Sequence, residues 1–142
     1  MLLPKKVKYR KWQSHRNLRD KRHADTRGTW LSFGEFGLKA EGYARITSNQ
    51  IEAARKTISR QIKKSGKMWI RIFPDRPYTQ KGAETPMGSG KGDPQGYVAQ
   101  IGAGRILFEV DGLPKDIAHL ALREAGTKLG VKTRIVSREI ML

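Results

Sequence analysis

The chain has 142 residues and carries 29 Lys or Arg against 13 Asp or Glu, a formal net charge of +16. This length suits one domain with one core, and the charge predicts a polyanionic partner, because self-repulsion on that scale weakens a compact chain. The sequence has no cysteine and no apolar run near the ~18 residues of a membrane span, so we expect an intracellular protein without disulfides, membrane contact or signal peptide.

The positive charge is concentrated in the first part of the chain. Residues 1–81 carry 21 Lys or Arg and 6 Asp or Glu, whereas residues 82–142 carry 8 and 7. The first part is therefore predicted to contact the polyanion, and the nearly neutral second part to serve as scaffold.

Residues 1–28 are predicted to form an extended basic arm that binds RNA. The segment holds ten Lys or Arg and shows no sustained apolar period. Tyr9 and Trp12 lie among the cations and suit stacking on bases, although a disordered tail is an alternative. His15 and His23 lack a ligand cluster, so no metal site is expected. The arm residues expected to contact RNA are Lys5, Lys6, Lys8, Arg10, Lys11, Trp12, Arg16, Arg19 and Arg22.

Residues 29–142 are predicted to form one domain, which begins with two strands. In the first, over 29–40, Trp30, Ser32 and Gly34 fall on one side and Leu31, Phe33 and Glu35 on the other. A second, short strand is predicted over 43–46.

The segment 47–66 predicts an amphipathic helix. Thr47 and Gln50 have the spacing of a capping box, and Gly66 is expected to end the helix. Its apolar face is expected to pack inward and consists of Ile51, Ala54, Ile58 and Ile62. The opposite face is expected to meet phosphate rather than a membrane, because the apolar face has no Trp or Phe. The cations of that opposite face are Arg55, Lys56, Arg60, Lys63 and Lys64.

Alternation in 67–74 predicts a strand with one buried face, in which Met68, Ile70 and Ile72 face one way and Trp69, Arg71 and Phe73 the other. We expect Arg71, on the other side of this strand, and Arg76 to contact RNA as well. The Pro- and Gly-bearing stretch 74–96 predicts a long projecting loop, and such loops in compact domains tend to be functional.

This loop does not have the spacing of a nucleotide site. If Gly90-Lys91 were the GK pair of a Walker loop, its first glycine position would hold Thr85 and its hydroxyl position Gly92. The dinucleotide fingerprint GxGxxG fails as well. We therefore expect no cofactor and no small-molecule substrate, and leave open a plain flexible surface loop beside a loop that meets the phosphates of a polymer.

The last part predicts a hairpin, a helix and a final strand. The hairpin joins strands over 97–101 and 105–110, the helix has Pro114 near its start and Gly130 after its end, and the strand covers 132–140. The residues expected to face inward from the helix are Ile117, Leu120, Ala121 and Ala125, whereas His119 is expected on its surface. These elements predict an α+β fold in which two helices pack on one mixed or antiparallel sheet, a two-layer sandwich.

Candidate catalytic groups are few, and we expect no enzyme. The chain has no cysteine nucleophile, and its serines have no evident His or Asp partners. Asp111 and Asp116 flank the start of the second predicted helix, where turn and first-turn roles explain them.

Five segments in order resemble the bacterial large-subunit ribosomal protein sixteen family: MLLPKKVKYRK, SFGEFGLKA, ITSNQIEAAR, KKSGKMWIRIFPDRPYT and MGSGKG. The resemblance implies an α+β sandwich in the ribosome, cytoplasmic or organellar, that binds large-subunit rRNA beside the peptidyl-transferase region, with ribosomal proteins as neighbours. It also implies that loop 81–93 faces aminoacyl- and peptidyl-site tRNA. The loop residues concerned are Lys81, Met87, Gly88, Ser89, Gly90, Lys91 and Gly92.

The loop departs from the family pattern at its tip. Pro86 stands where the family has Arg, and Ser89 where Lys is common, so two positive charges are absent. A free-standing basic nucleic-acid-binding or architectural protein is the alternative function that the sequence leaves open.

Overall fold

The computed structural model describes residues 1–13 and 24–141. Its strands are β1 (Phe36–Ala40), β2 (Ala44–Thr47), β3 (Lys67–Ile70), β4 (Arg76–Gln80), β5 (Asp93–Ile101), β6 (Ile106–Asp111) and β7 (Thr133–Ser137). Its helices are α1 (Ser48–Ile62), α2 (Lys115–Gly126) and the short α3 (Arg138–Met141). The expected α+β class is confirmed.

The strands form two antiparallel sheets instead of the single sheet expected. One sheet has the order β3-β6-β1-β7 and the other β2-β5-β4. Helices α1 and α2 pack against each other; α1 contacts strands of both sheets, and α2 contacts β1, β6 and β7. Their apolar faces and those of the two sheets share one core, which includes Leu38, Ile46, Ile58, Ile101, Phe108 and Leu122.

Helix α1 follows the sequence prediction closely. Thr47 Oγ1 accepts from the Gln50 N–H and the Gln50 side chain accepts from the Thr47 N–H, which confirms the capping box. All four residues of the predicted apolar face are buried. The helix ends earlier than expected, at Ile62, because the chain turns at Lys63, which has a positive φ of 55°.

The predicted hairpin over 97–110 is wrong, because its two strands lie in different sheets. Strand β5 pairs with β2 and β4, whereas β6 pairs with β1 and β3. Each is a central strand with neighbours on both edges, and the segment 102–105 carries the chain from one sheet to the other. Gly104, with φ 94°, donates its N–H to the Ala40 carbonyl in this crossing.

Part of the predicted loop 74–96 is also a strand. Strand β4 forms there despite Pro77, because β4 is the edge of its sheet and Pro is tolerated at an edge. The loop is therefore the 12-residue connection 81–92 between β4 and β5.

The predicted strand over 29–40 begins only at Phe36. Before it, the backbone N–H groups of residues 32–34 point to the buried Glu109 carboxylate and not to a neighbouring strand. The strand predicted over 132–140 is shorter than expected. Strand β7 ends at Ser137, and the residues after it form α3.

Helix α2 confirms two of the residues expected to face inward, Ala121 and Ala125, but its buried face turns away from the other two. Ala118, Ala121, Leu122 and Ala125 are buried, at the spacing i, i+3, i+4 and i+7, whereas Ile117 and Leu120 are 40% and 46% exposed. His119 is not a free surface residue either, since its ring lies edge-on to Phe36 with centroids 5.6 Å apart.

Candidate nucleic-acid interface

The described part of the arm, residues 1–13, is attached to the domain at its start. Leu2 packs against the core, and Ser48 Oγ donates to the Leu2 carbonyl at 2.9 Å. The N-terminal ammonium lies 3.9 Å from Glu52 Oε2. Beyond this anchor the cations from Lys5 to Lys11 are all exposed. The expected RNA-contacting residues Arg16, Arg19 and Arg22, and the two histidines His15 and His23, lie outside the described residues.

The end of this described segment lies against the loop. Lys91 Nζ donates to the Trp12 carbonyl, and Lys11 Nζ lies 3.4 Å from the Lys91 carbonyl. Arg76, on β4, places its guanidinium 5.4 Å from the centroid of the Trp12 ring and donates to the Gln13 carbonyl at 3.3 Å. We call Arg76, on the strand that leads into the loop, and Lys91, near the end of the loop, the loop stem. The arm and the loop stem form one continuous surface, although Trp12 and Lys91 are 79 positions apart in sequence.

Arg76 is buried at the base of this surface. Its side chain donates to Gln100 Oε1 on β5 as well as to the arm. Burial, followed by the nearby positive charge of Arg45, lowers the pKa of Arg76 below its ordinary value. The guanidinium stays charged, since arginine does not lose its proton in proteins.

The loop tip has an unusual backbone. Gly88, Ser89 and Gly90 all have positive φ, at 102°, 62° and 96°. Lys81 Nζ reaches across the loop and donates to the Gly88 carbonyl at 2.6 Å. Met87 is 96% exposed, so the tip presents an apolar side chain and bare backbone rather than free cations.

The outer face of α1 presents a second group of cations. Arg60, Lys63 and Lys64 are exposed and form no ion pair with any residue in the described ranges. Arg55 instead holds Glu52, with donor–acceptor distances of 2.6 and 3.0 Å. This contact lowers the pKa of Glu52 and raises that of Arg55.

Arg71 has a structural partner that the sequence analysis missed. Its guanidinium donates to Glu109 Oε1 at 2.7 Å, and the Glu109 side chain is fully buried. The same carboxylate accepts from the backbone N–H groups of Ser32 and Phe33 at 2.8 Å and of Gly34 at 3.2 Å. The available signal was a lone acid in the apolar run RILFEV, which alternation would have placed at the surface.

The predicted site residues therefore form separate groups. The arm end and the loop stem come together, whereas Lys63 and Lys64 lie at the C-terminal end of α1, on the order of 22 Å along the helix from the Leu2 anchor. Among the described residues, no His, Cys, Asp or Glu cluster could hold a metal ion, and no helix is long and apolar enough to cross a membrane.

Exposed cations on an arm and a helix face, carried by an α+β scaffold, define a basic nucleic-acid-binding protein. A comparison with known protein families agrees with this class. The family model described as ribosomal protein L16p/L10e matches residues 4–136, and the chain belongs to that family. It is thus a structural, RNA-binding constituent of the large ribosomal subunit, and not an enzyme in itself.

Proposed function

We propose that this chain binds large-subunit rRNA beside the peptidyl-transferase region, and that its loop 81–93 contacts tRNA in the aminoacyl and peptidyl sites. The observation that carries the rRNA part is the exposure of the cations from Lys5 to Lys11 and at the end of α1. Phosphate contacts by such side chains release counterions, which gives affinity without a need for sequence readout.

The buried and paired arginines have a supporting role in this proposal. Arg71 neutralises Glu109, and Arg76 fixes the arm end against β4. Arg55 shares its charge with Glu52 and is only partly available for phosphate. The direct phosphate contacts therefore fall to the exposed arm cations and to Arg60, Lys63 and Lys64.

The tRNA part of the proposal relies on the exposed loop tip. Glycines at 88 and 90 permit a close approach to RNA, and Met87 can lie against a base or a sugar. Lys81 and Lys91 donate to backbone carbonyls within the chain, so in this pose their main work is to shape the loop and fasten it to the arm.

The rRNA proposal is tested by the salt dependence of binding to transcribed large-subunit rRNA. Replacing both Lys63 and Lys64 by Ala should lower the log–log salt slope by roughly 0.7–0.9 for each phosphate that the variant no longer neutralises. The matched control is the double replacement of Lys115 and Lys128, which are also exposed but lie in the nearly neutral part of the chain.

Both doubles lower the net charge by the same amount, so a long-range charge effect cancels in the comparison. Equal slopes for the two doubles would contradict the assignment of the α1 face. Point substitutions are preferable to deletion of the arm, because deletion would also remove Leu2 from the core and the contacts of Trp12 with the loop stem.

A further inference from the structure

Two aromatic side chains stand at the surface beside β3 and β6. Trp30 is 63% exposed and Phe33 is 54% exposed. Trp and Phe are enriched at the centres of binding interfaces relative to the rest of a protein surface. From the sequence both residues were expected in a strand, and neither was expected to have a role of its own.

The backbone that carries these rings is fixed on both sides. The Gly28 carbonyl accepts from the Ile106 N–H at 2.7 Å, and the Glu35 N–H donates to the Val110 carbonyl at 3.1 Å. Between these points the buried Glu109 carboxylate accepts three successive backbone N–H groups. A Cβ at Gly34 would lie 2.5 Å from the Val110 carbonyl oxygen, so the segment is pressed directly onto β6.

The Phe33 ring is itself held in place. It stacks on the Trp69 ring of β3, with centroids 5.9 Å apart and an interplanar angle of 19°. The Arg71 guanidinium lies 5.2 Å from the Phe33 centroid and donates to the Trp30 carbonyl at 3.3 Å. The Phe33 ring and the backbone that carries Trp30 are therefore fixed before binding, which leaves less conformational freedom to lose.

The chemistry around the rings favours an RNA base as the occupant. Trp30 and Phe33 lie in the part of the chain that carries a large excess of cations, and the exposed Arg27 comes shortly before them. Flat aromatic faces stack on unpaired bases while neighbouring cations attract the phosphates. The exposed aliphatic pair Ile117 and Leu120 on α2 offers neither property.

We infer that Trp30 and Phe33 form a stacking platform for unpaired bases of RNA. This inference rests on the proposed function, because it presumes that the chain binds rRNA, and it adds a base contact to the phosphate contacts of the exposed cations. The Glu109–Arg71 pair is then the support that keeps the platform rigid.

The test measures affinity for transcribed large-subunit rRNA at several salt concentrations. Trp30→Ala should weaken binding roughly 5- to 140-fold, the range for removal of one base stack, with the log–log salt slope unchanged. Trp30→Phe, which keeps a flat ring, should retain most of the affinity, and Trp30→Leu, which keeps only apolar bulk, should lose it. The control Leu120→Ala should bind like the unchanged protein.

The outcomes separate this inference from the proposed function. If the unchanged protein shows no salt-dependent rRNA binding, the proposed function fails. If that protein binds but Trp30→Ala binds equally well, the platform is overturned, and a protein neighbour becomes the better occupant. A Trp30→Leu variant that binds like Trp30→Phe would overturn stacking in favour of simple apolar contact.

Discussion

At the scale of single residues, the buried Glu109 carboxylate holds residues 32–34 and Arg71 against β6. A carboxylate with no exposed surface is costly unless donors surround it. Here three backbone N–H groups and one guanidinium supply four donors, all within 3.2 Å. These bonds explain why residues 32–34 leave the strand ladder and why Arg71 is drawn onto the protein.

Removal of the Arg71 side chain is expected to destabilise the fold, because the buried Glu109 carboxylate depends on Arg71 for its counter-charge. Arg71→Ala leaves the buried carboxylate without its counter-charge, and we expect the free energy of unfolding to fall by about 3–5 kcal/mol. Arg134→Ala, at an exposed position on β7, should change it by no more than about 0.5 kcal/mol. Urea unfolding of the isolated protein measures both. Equal stabilities would mean that the three N–H groups alone suffice for Glu109.

At the scale of elements, α1 shows what the sequence can specify. Its start, its apolar face and its basic face follow from local signals, namely a capping box and a regular period. Those signals act within one turn or one helix face, so they are readable without knowledge of the rest of the fold.

The two faces of α1 are expected to separate stability from binding. Ile58 has no exposed surface, so Ile58→Ala should lower the free energy of unfolding by about 2–5 kcal/mol. Arg60→Ala should change stability little and weaken rRNA binding, because its side chain is exposed and has no acidic partner among the described residues. Unfolding curves and binding isotherms on both variants check this assignment. A stable Ile58→Ala beside an unfolded Arg60→Ala would show that the faces are reversed.

The elements that could not be predicted depend on distant partners. Both β5 and β6 were predicted as strands, but nothing in the link 102–105 indicates that the chain changes sheets there. Strand β4 carries Pro77, which reads as a loop signal until its place at a sheet edge is known. On α2, local hydrophobicity favoured Ile117 as the inward residue. In the packed structure Ala118 is buried instead, and Ile117 is exposed.

The candidate interface likewise has features that the sequence predicts and contacts that it does not. The charge concentrated in residues 1–81 and the exposed end of α1 were readable from composition and period. The contacts of Arg71 with Glu109 and of Lys91 with Trp12 were not, because each joins residues at least thirty-eight positions apart. Arg71 and Lys91, which the composition counts as free positive charges, are thus bound to other groups of the protein.

At the scale of the whole molecule, the arm and the loop are mechanically connected. The arm is attached at Leu2 to the start of α1, and at Trp12 and Gln13 to the loop stem. It therefore bridges the helix that carries the second group of cations and the loop proposed to face tRNA. RNA that holds the arm would, through these contacts, also hold the base of the loop while leaving its tip free.

This arrangement leads to a prediction for the assembled subunit. Lys91→Ala, or shortening of residues 85–92, should leave the yield of large subunits near normal, because Lys81 and Lys91 are the only cations of the loop. The same changes should weaken aminoacyl-site tRNA binding. Lys91→Ala frees the loop from the Trp12 carbonyl, and fixing each loosened residue again costs about 1–2 kcal/mol.

The measurement is tRNA affinity on purified mutant subunits, with Lys115→Ala as the matched removal of one exposed lysine far along the chain. We expect Lys91→Ala to weaken tRNA binding by about 0.5–1.5 kcal/mol, the net worth of one hydrogen bond, and the shortened loop to weaken it further. Lys115→Ala should have no effect. Normal tRNA affinity for both loop variants, on subunits that assemble correctly, would remove the loop from the proposed function and leave the rRNA footprint in place.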